Sequence, residues 1–184
     1  MALVDHWPLF GLRVTTPRLE LRSPTDDDLD HLLDVARRGV HDPGFMPFTT
    51  PWTDTPSPAF EREALRYWWG NRAGWSPDDW RLDLAVVVDG RPVGVQGLAA
   101  TGFPRLRTAE TGSWLGLEHQ GRGLGREMRA AMLHLAFEQL GAVAVTVTGF
   151  DACRPLFGLD PSSADGATGA PDGGVAAEPE PVGG

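Results

Sequence analysis

The sequence predicts an α/β (α+β) fold built on a mixed sheet, and two stretches carry that reading. In RLDLAVVVDGRPVGVQGLAA, two apolar runs flank Asp89-Gly90, the residue pair of a tight hairpin turn, so these strands pair antiparallel. Further on, a strand, a glycine-rich turn, a long helix and the strand AVAVTVT succeed one another, and a strand that returns after a crossover helix pairs parallel. With 184 residues the chain suits one domain around one core.

Each element has its own local signal. RLELR, Arg18 to Arg22, alternates as a strand does. SPTDDDLDHLLDVARRG then reads as a helix with Thr25 as its N-cap and Leu29, Leu32, Leu33 and Ala36 as its apolar stripe. Asp26, Asp27 and Asp28 fall in its first turn, where the helix dipole favours acids, so they are assigned to the helix start and no metal is predicted. A second helix starts at Ser57, with Pro58 in its first turn, and runs through AFEREALRYWWGNR. After the hairpin come a strand at about Glu110 to Leu117, the glycine stretch and a helix from Leu124 to Leu140. Leu124, Met128, Ala131 and Leu135 mark one face of that helix and Leu133, Phe137 and Leu140 another, which predicts cover on both sides.

Composition narrows the function classes. The net charge of −9 argues against a nucleic-acid partner, which needs a basic stripe. Lysine is absent, and with it the lysine of a Walker phosphate loop. The single cysteine, Cys153, leaves no internal disulfide framework and fits a reducing cytoplasm. The opening MALVDHWPLFGLRV has no basic start, and nowhere do eighteen apolar residues stand in a row, so neither an export signal nor a membrane span is read. From Asp151 to Gly184 the text is rich in Gly, Pro, Ala and acid without periodicity, which divides the chain into a domain over 1–150 and a disordered tail over 151–184. Six acids and one arginine lie in that tail, so it carries −5 of the net −9.

The stretch SWLGLEHQGRGLGREM, Ser113 to Met128, places Gly121, Gly123 and Gly125 where a strand gives way to a helix. Helix-start amides lack intrahelical partners and the helix dipole adds positive potential there, while residues without a Cβ let the backbone curl around an anion. The stretch is therefore a candidate diphosphate cradle. A dinucleotide fingerprint fits it poorly: its third glycine would fall at Arg126 or Met128, and the loop comes late in the chain.

Gln120-Gly121-Arg122-Gly123-Leu124-Gly125 resembles the Q/R-x-x-G-x-G/A signature of the GNAT superfamily of N-acetyltransferases. TPRLELRSPTDDDLDHL, MPFTTPW and AETGSWLG resemble, in order and spacing, the subgroup related to ribosomal-protein N-terminal (alanine) acetyltransferases, over roughly residues 14 to 148. The resemblance implies a mixed, mostly antiparallel sheet with helices on both faces and acetyl-CoA as co-substrate. It implies that the backbone of Ser113, Trp114 and Leu115 pairs with the pantetheine arm, and that Gln120, Gly121, Arg122, Gly123, Leu124, Gly125 and Arg126 form the pyrophosphate site. The acceptor is an amine, at a protein N-terminus or on a small molecule.

Acetyl transfer to an amine needs positioning and a base for the proton. Glu110 is the candidate base, directly or through water. Glu127 is read as capping or pairing locally, and His119 as surface. Trp52, Trp68, Trp69 and Trp75 suit the wall of an acceptor pocket but are read first as core. Family members continue beyond the strand equivalent to AVAVTVT with an asparagine- and serine-rich helix and two more strands, and the resemblance here ends at about Phe150. The tail is therefore expected to replace the last quarter of the family domain, which leaves two functional classes open. One is a working acetyltransferase; the other is an impaired relative that acts at most as a coenzyme A-binding or interaction module.

Overall fold

A computed structural model describes residues 1–147. The segment from Asp151 to Gly184, and the tail expected there, lie outside the described residues.

Six strands lie side by side in chain order: β1 (Arg13–Thr15), β2 (Glu20–Arg22), β3 (Asp79–Val88), β4 (Arg91–Thr101), β5 (Thr108–Leu115) and β6 (Ala144–Val147). Neighbours are antiparallel except β5 and β6, so the sheet is mixed and mostly antiparallel. α1 (Leu3–His6) and α4 (Phe103–Leu106) are short. α2 (Asp26–Arg38) and α3 (Ala59–Ala73) connect β2 to β3, and α5 (Leu124–His134) crosses from β5 to β6.

The helices sandwich the sheet. Leu84, Val86, Leu98 and Leu115 pack with Leu124, Met128 and Met132 of α5. Ala85, Val87 and Val95 pack with Leu29, Leu32 and Leu33 of α2 and with Phe60 and Trp68 of α3. Successive strand residues point to opposite faces, so a strand covered on both sides has to be apolar without a break, as Leu84 to Val88 are. The hairpin turns as its residues require: Asp89 and Gly90 adopt φ of 50° and 77°, the two positive values of a type I′ turn.

α2 begins with a reciprocal cap. The Thr25 hydroxyl accepts the Asp28 N–H at 3.1 Å, and the Asp28 carboxylate accepts the Thr25 N–H at 2.8 Å. Both terminal nitrogens of Arg22 also donate to Asp28. Burial works against the Asp28 charge, but the hydrogen bonds from Arg22 and Thr25 outweigh it and hold the carboxyl below the usual aspartate range.

Several boundaries differ from the sequence reading. RLELR contributes only Glu20–Arg22 to the sheet, and β1 adds an unforeseen edge strand. β5 begins and ends two residues earlier than expected. The long helix changes at Leu135 into a π turn through Gln139, in which the Leu140 N–H donates to the Leu135 carbonyl at 3.0 Å. That extra residue in the turn rotates the chain beyond it by about 100° relative to a continuous helix. Leu135 and Ala136 stay buried and Leu140 packs partly against the core, whereas Phe137 is 41% exposed, so the expected cover of the second face is only partial. Among the four tryptophans, Trp68 is core and Trp52 and Trp75 pack partly against it, but Trp69 is 48% exposed with its ring N–H toward Asp26. No helix among the described residues is long and apolar enough to cross a membrane.

Thr25→Ala is expected to lower the unfolding free energy by about 1 kcal/mol, read from urea titration. The contribution of Asp28 is present above the unfolded aspartate pKa of about 3.9 and is lost as pH falls through the lower folded value. Asp28→Asn should therefore be less stable than the parent near neutrality, with the difference narrowing below that window.

Candidate functional site

β5 carries the site because its two edges are used differently. Along one edge β4 pairs with it from Glu110 to Leu115. Along the other, β6 pairs only from Thr108 to Thr111, so among the described residues Gly112 to Leu115 have no strand partner on that side. Their side chains are committed elsewhere. The Ser113 hydroxyl accepts from Arg129 at 2.7 Å, the Trp114 ring packs on Trp52 with centroids 5.8 Å apart, and Leu115 lies in the core. This stretch offers main chain outward.

The glycine stretch comes directly after. Gly121 and Gly123 adopt φ of 72° and 78°, left-handed values that favour residues without a Cβ, and Gly123 is the N-cap of α5. A Cβ at Gly121 would meet nothing within 4 Å. Gly125 is buried in the first turn, and Leu124 is core. Arg122 and Arg126 are exposed. The Gln120 side-chain amide donates to the Val40 and Leu115 carbonyls, both at 2.8 Å, and so pins the loop to the end of β5 and to the chain beyond α2. Amides at the start of α5 thus open beside a strand edge that has no partner among the described residues.

Three supporting residues were not anticipated. Arg18 donates from Nη1 to the Arg122 carbonyl at 2.9 Å and from Nε to Glu127 at 2.6 Å, and its Nη2 lies 3.4 Å from where a Cβ on Gly123 would sit. Glu127 also accepts from the Thr16 hydroxyl and the Arg18 N–H, so it pairs with the β1–β2 turn rather than locally, which corrects the sequence reading. On the α5 side of the sheet, Arg129 is 2% exposed and donates to the Thr111 hydroxyl and to Ser113, while buried Gln96 donates to that same Thr111 hydroxyl at 2.8 Å. An arginine within the apolar stripe of α5 was the one signal of this buried network. The third, Asp83, is half-buried on β3 and accepts from Asn71 at 2.7 Å and from Tyr67 at 3.4 Å.

Glu110 is exposed on β5, two residues from Gly112, between Ala99 of β4 and Thr146 of β6. Strand alternation puts it on the same face as Gly112 and Trp114, the face that α2 and α3 cover. Beyond Trp114 a run of rings continues through Trp52 to Phe48 and His41, with centroid separations of 5.0 and 5.7 Å for the last two steps. His119 lies in the short turn after β5, 3.5 Å from Glu118.

The acetyltransferase (GNAT) domain model matches residues 18–149. Among solved structures, a protein of Vibrio cholerae assigned as a ribosomal-protein-serine acetyltransferase superposes with a TM-score of 0.56 at 20% identity, over 75% of this chain and 74% of its own. RimL, a ribosomal L7/L12 α-N-protein acetyltransferase, gives 0.56 at 18% identity, over 79% and 77%. Mycobacterium smegmatis RimJ, solved in complex with CoA-disulfide, gives 0.57 at 17% identity, over 74% and 68%. At these identities the likeness is one of fold.

The brace between α5 and the β1–β2 turn should titrate. The Thr16 hydroxyl, followed by Arg18, holds the Glu127 carboxyl below the usual range against the opposing effect of burial. Its stabilisation is present above the unfolded glutamate pKa of about 4.3 and is lost as pH falls through the lower folded value. Between about pH 6 and about pH 3 the urea midpoint of the parent should therefore fall further than that of Glu127→Gln.

Proposed function

Because the chain belongs to the GNAT acetyltransferase family, we propose that it transfers an acetyl group from acetyl-CoA to a primary amine within a ternary complex. The observation that carries this reading is the adjacency of the edge at Gly112 to Leu115, which has no strand partner among the described residues, and the left-handed glycines that open α5. An extended, amide-bearing arm can add to that edge as a further strand would, and a diphosphate at its end then meets the helix-start amides. In this reading the main chain of Ser113, Trp114 and Leu115 takes the arm. Gly121 to Arg126 take the diphosphate, with Gln120 shaping the loop.

Acetyl-CoA supplies the acyl group as a thioester. The chain's part is to fix that group at the end of β5, to aim a main-chain N–H at the carbonyl oxygen where negative charge develops, and to bring the amine alongside. Glu110, on the covered face of the same strand, takes the amine proton directly or through water. The acceptor is a protein N-terminus or a small-molecule amine, in keeping with the α-N-protein acetyltransferase name of one structural neighbour. A domain boundary near residue 150 is in keeping with a family match that ends at residue 149. The lone cysteine fits a cytoplasmic setting.

Titration of the full chain with coenzyme A, followed by thiol release with acetyl-CoA and an amine panel, tests the proposal. Saturable binding with thiol release supports a transferase; binding without release from any amine supports a coenzyme A-binding module instead. Gly123→Val puts a β-branched residue at a φ of 78° and should weaken coenzyme A binding by about tenfold or more. Glu110→Gln should leave that binding intact and slow turnover by about a hundredfold.

A further inference from the structure

One buried guanidinium serves two hydroxyls of β5. Arg129, 2% exposed in α5, donates from Nη1 to the Thr111 hydroxyl at 3.3 Å and from Nη2 to the Ser113 hydroxyl at 2.7 Å. An arginine only donates, so both oxygens receive and each hydroxyl hydrogen must go elsewhere. Thr111 is fully buried and gives its hydrogen to the Gly97 carbonyl at 2.7 Å. Ser113 is half-buried, and among the described residues no acceptor receives its hydrogen. The two hydroxyls therefore differ: one closes a buried network, while the other ends it with a donor at the strand edge.

That donor stands at a definite point of the edge. Gly112 to Leu115 have no strand partner toward β6 among the described residues, and the pairing ends where Thr111 meets Val147. Four residues of strand give about 13 Å of edge, with the glycine loop beyond Leu115 at one end and Val147 at the other. A pantetheine arm whose diphosphate lies at the start of α5 thus has its sulfur at the opposite end, beside Gly112 and Ser113. Other hydroxyls are turned elsewhere: Tyr67, the single tyrosine of the chain, donates to Asp83 two strands away, and Thr146 donates to the Ala109 carbonyl.

We propose that Ser113, oriented by Arg129, donates its hydroxyl hydrogen to the leaving sulfur of the thioester. This rests on the transferase reading above and adds to it the group that meets the charge developing on sulfur. As the amine nitrogen bonds to the carbonyl carbon and loses its proton to Glu110 or to water, the carbon–sulfur bond breaks and its electron pair stays on sulfur. The thiolate so formed accepts the hydrogen bond from Ser113 and takes a proton from solvent as coenzyme A departs. Serine keeps its own proton throughout. A hydroxyl that accepts a hydrogen bond from a cation is a stronger donor, and with little water around it the Arg129 charge behind that hydroxyl favours an anion in front. Strand alternation puts Glu110 on the other face of β5 from Ser113, so the base and the donor to sulfur flank the edge from two sides.

Coenzyme A enriched with 13C at the carbon that bears the thiol reports the ionisation of that thiol, and its pH titration by NMR on the full chain is the test. In the parent, the ratio of thiolate to thiol at a given pH should be at least about tenfold that of free coenzyme A. Ser113→Ala, which keeps the main chain of the edge, should return the ratio to that of free coenzyme A, while Ser113→Thr should keep it raised. Arg129→Met should lower it as well, and Ser113→Ala alone decides if that variant does not fold. A parent thiol that titrates as free coenzyme A does, or a ratio unmoved in Ser113→Ala, overturns the proposal and leaves the transferase reading standing. A parent that binds no coenzyme A overturns both.

Discussion

A main chain that cannot leave its polar groups buried and unpaired governs this structure at β5. The strand is paired toward β4 from Glu110 to Leu115 and, among the described residues, toward β6 only from Thr108 to Thr111, and it runs into a helix whose first amides have no partners within the helix. Hydrogen-bonding groups at a strand edge and at a helix start lie side by side, and the proposed ligand, extended at one end and anionic at the other, would satisfy both. The rest of the domain keeps these two features in register.

Register is maintained from both faces. On the α5 side, Arg129 and Gln96 converge on Thr111 and Ser113, so the β5 backbone is fixed from below by buried hydrogen bonds rather than by apolar packing alone. On the other, Trp114 is wedged into the aromatic run of the loop between α2 and α3. Glu127 couples the start of α5 to Thr16 and Arg18, which places a guanidinium beside the left-handed Gly123. The β1–β2 turn therefore bears on the loop although it lies more than a hundred residues away in sequence.

Legibility in the sequence tracks the range of the interactions. The hairpin at Asp89-Gly90, the cap at Thr25 and the strand-to-helix change at the glycines are short-range choices, and each is visible in a few letters. The resemblance of Gln120 to Gly125 and of the flanking segments to a known family added the kind of ligand. The Glu127 partners could not be seen, because nothing local distinguishes a carboxylate that pairs within its helix from one that reaches a distant turn. The π turn and the exposure of Phe137 were missed for a related reason: an apolar period read along a regular helix does not register an inserted residue. Arg129 and Asp83 did leave traces, an arginine on an apolar stripe and an acid within RLDLAVVV, and an interior polar residue of this kind marks a place where structure or function requires it.

The central claim concerns main-chain hydrogens, so it is best tested by watching them. In 15N-labelled protein, added coenzyme A should move the amide resonances of Gly121, Gly123 and Gly125 downfield and shift those of Gly112 to Leu115, with the hydrophobic core little affected. Coenzyme A that binds while the three glycine amides stay in place would contradict the account, because the diphosphate would then be held elsewhere.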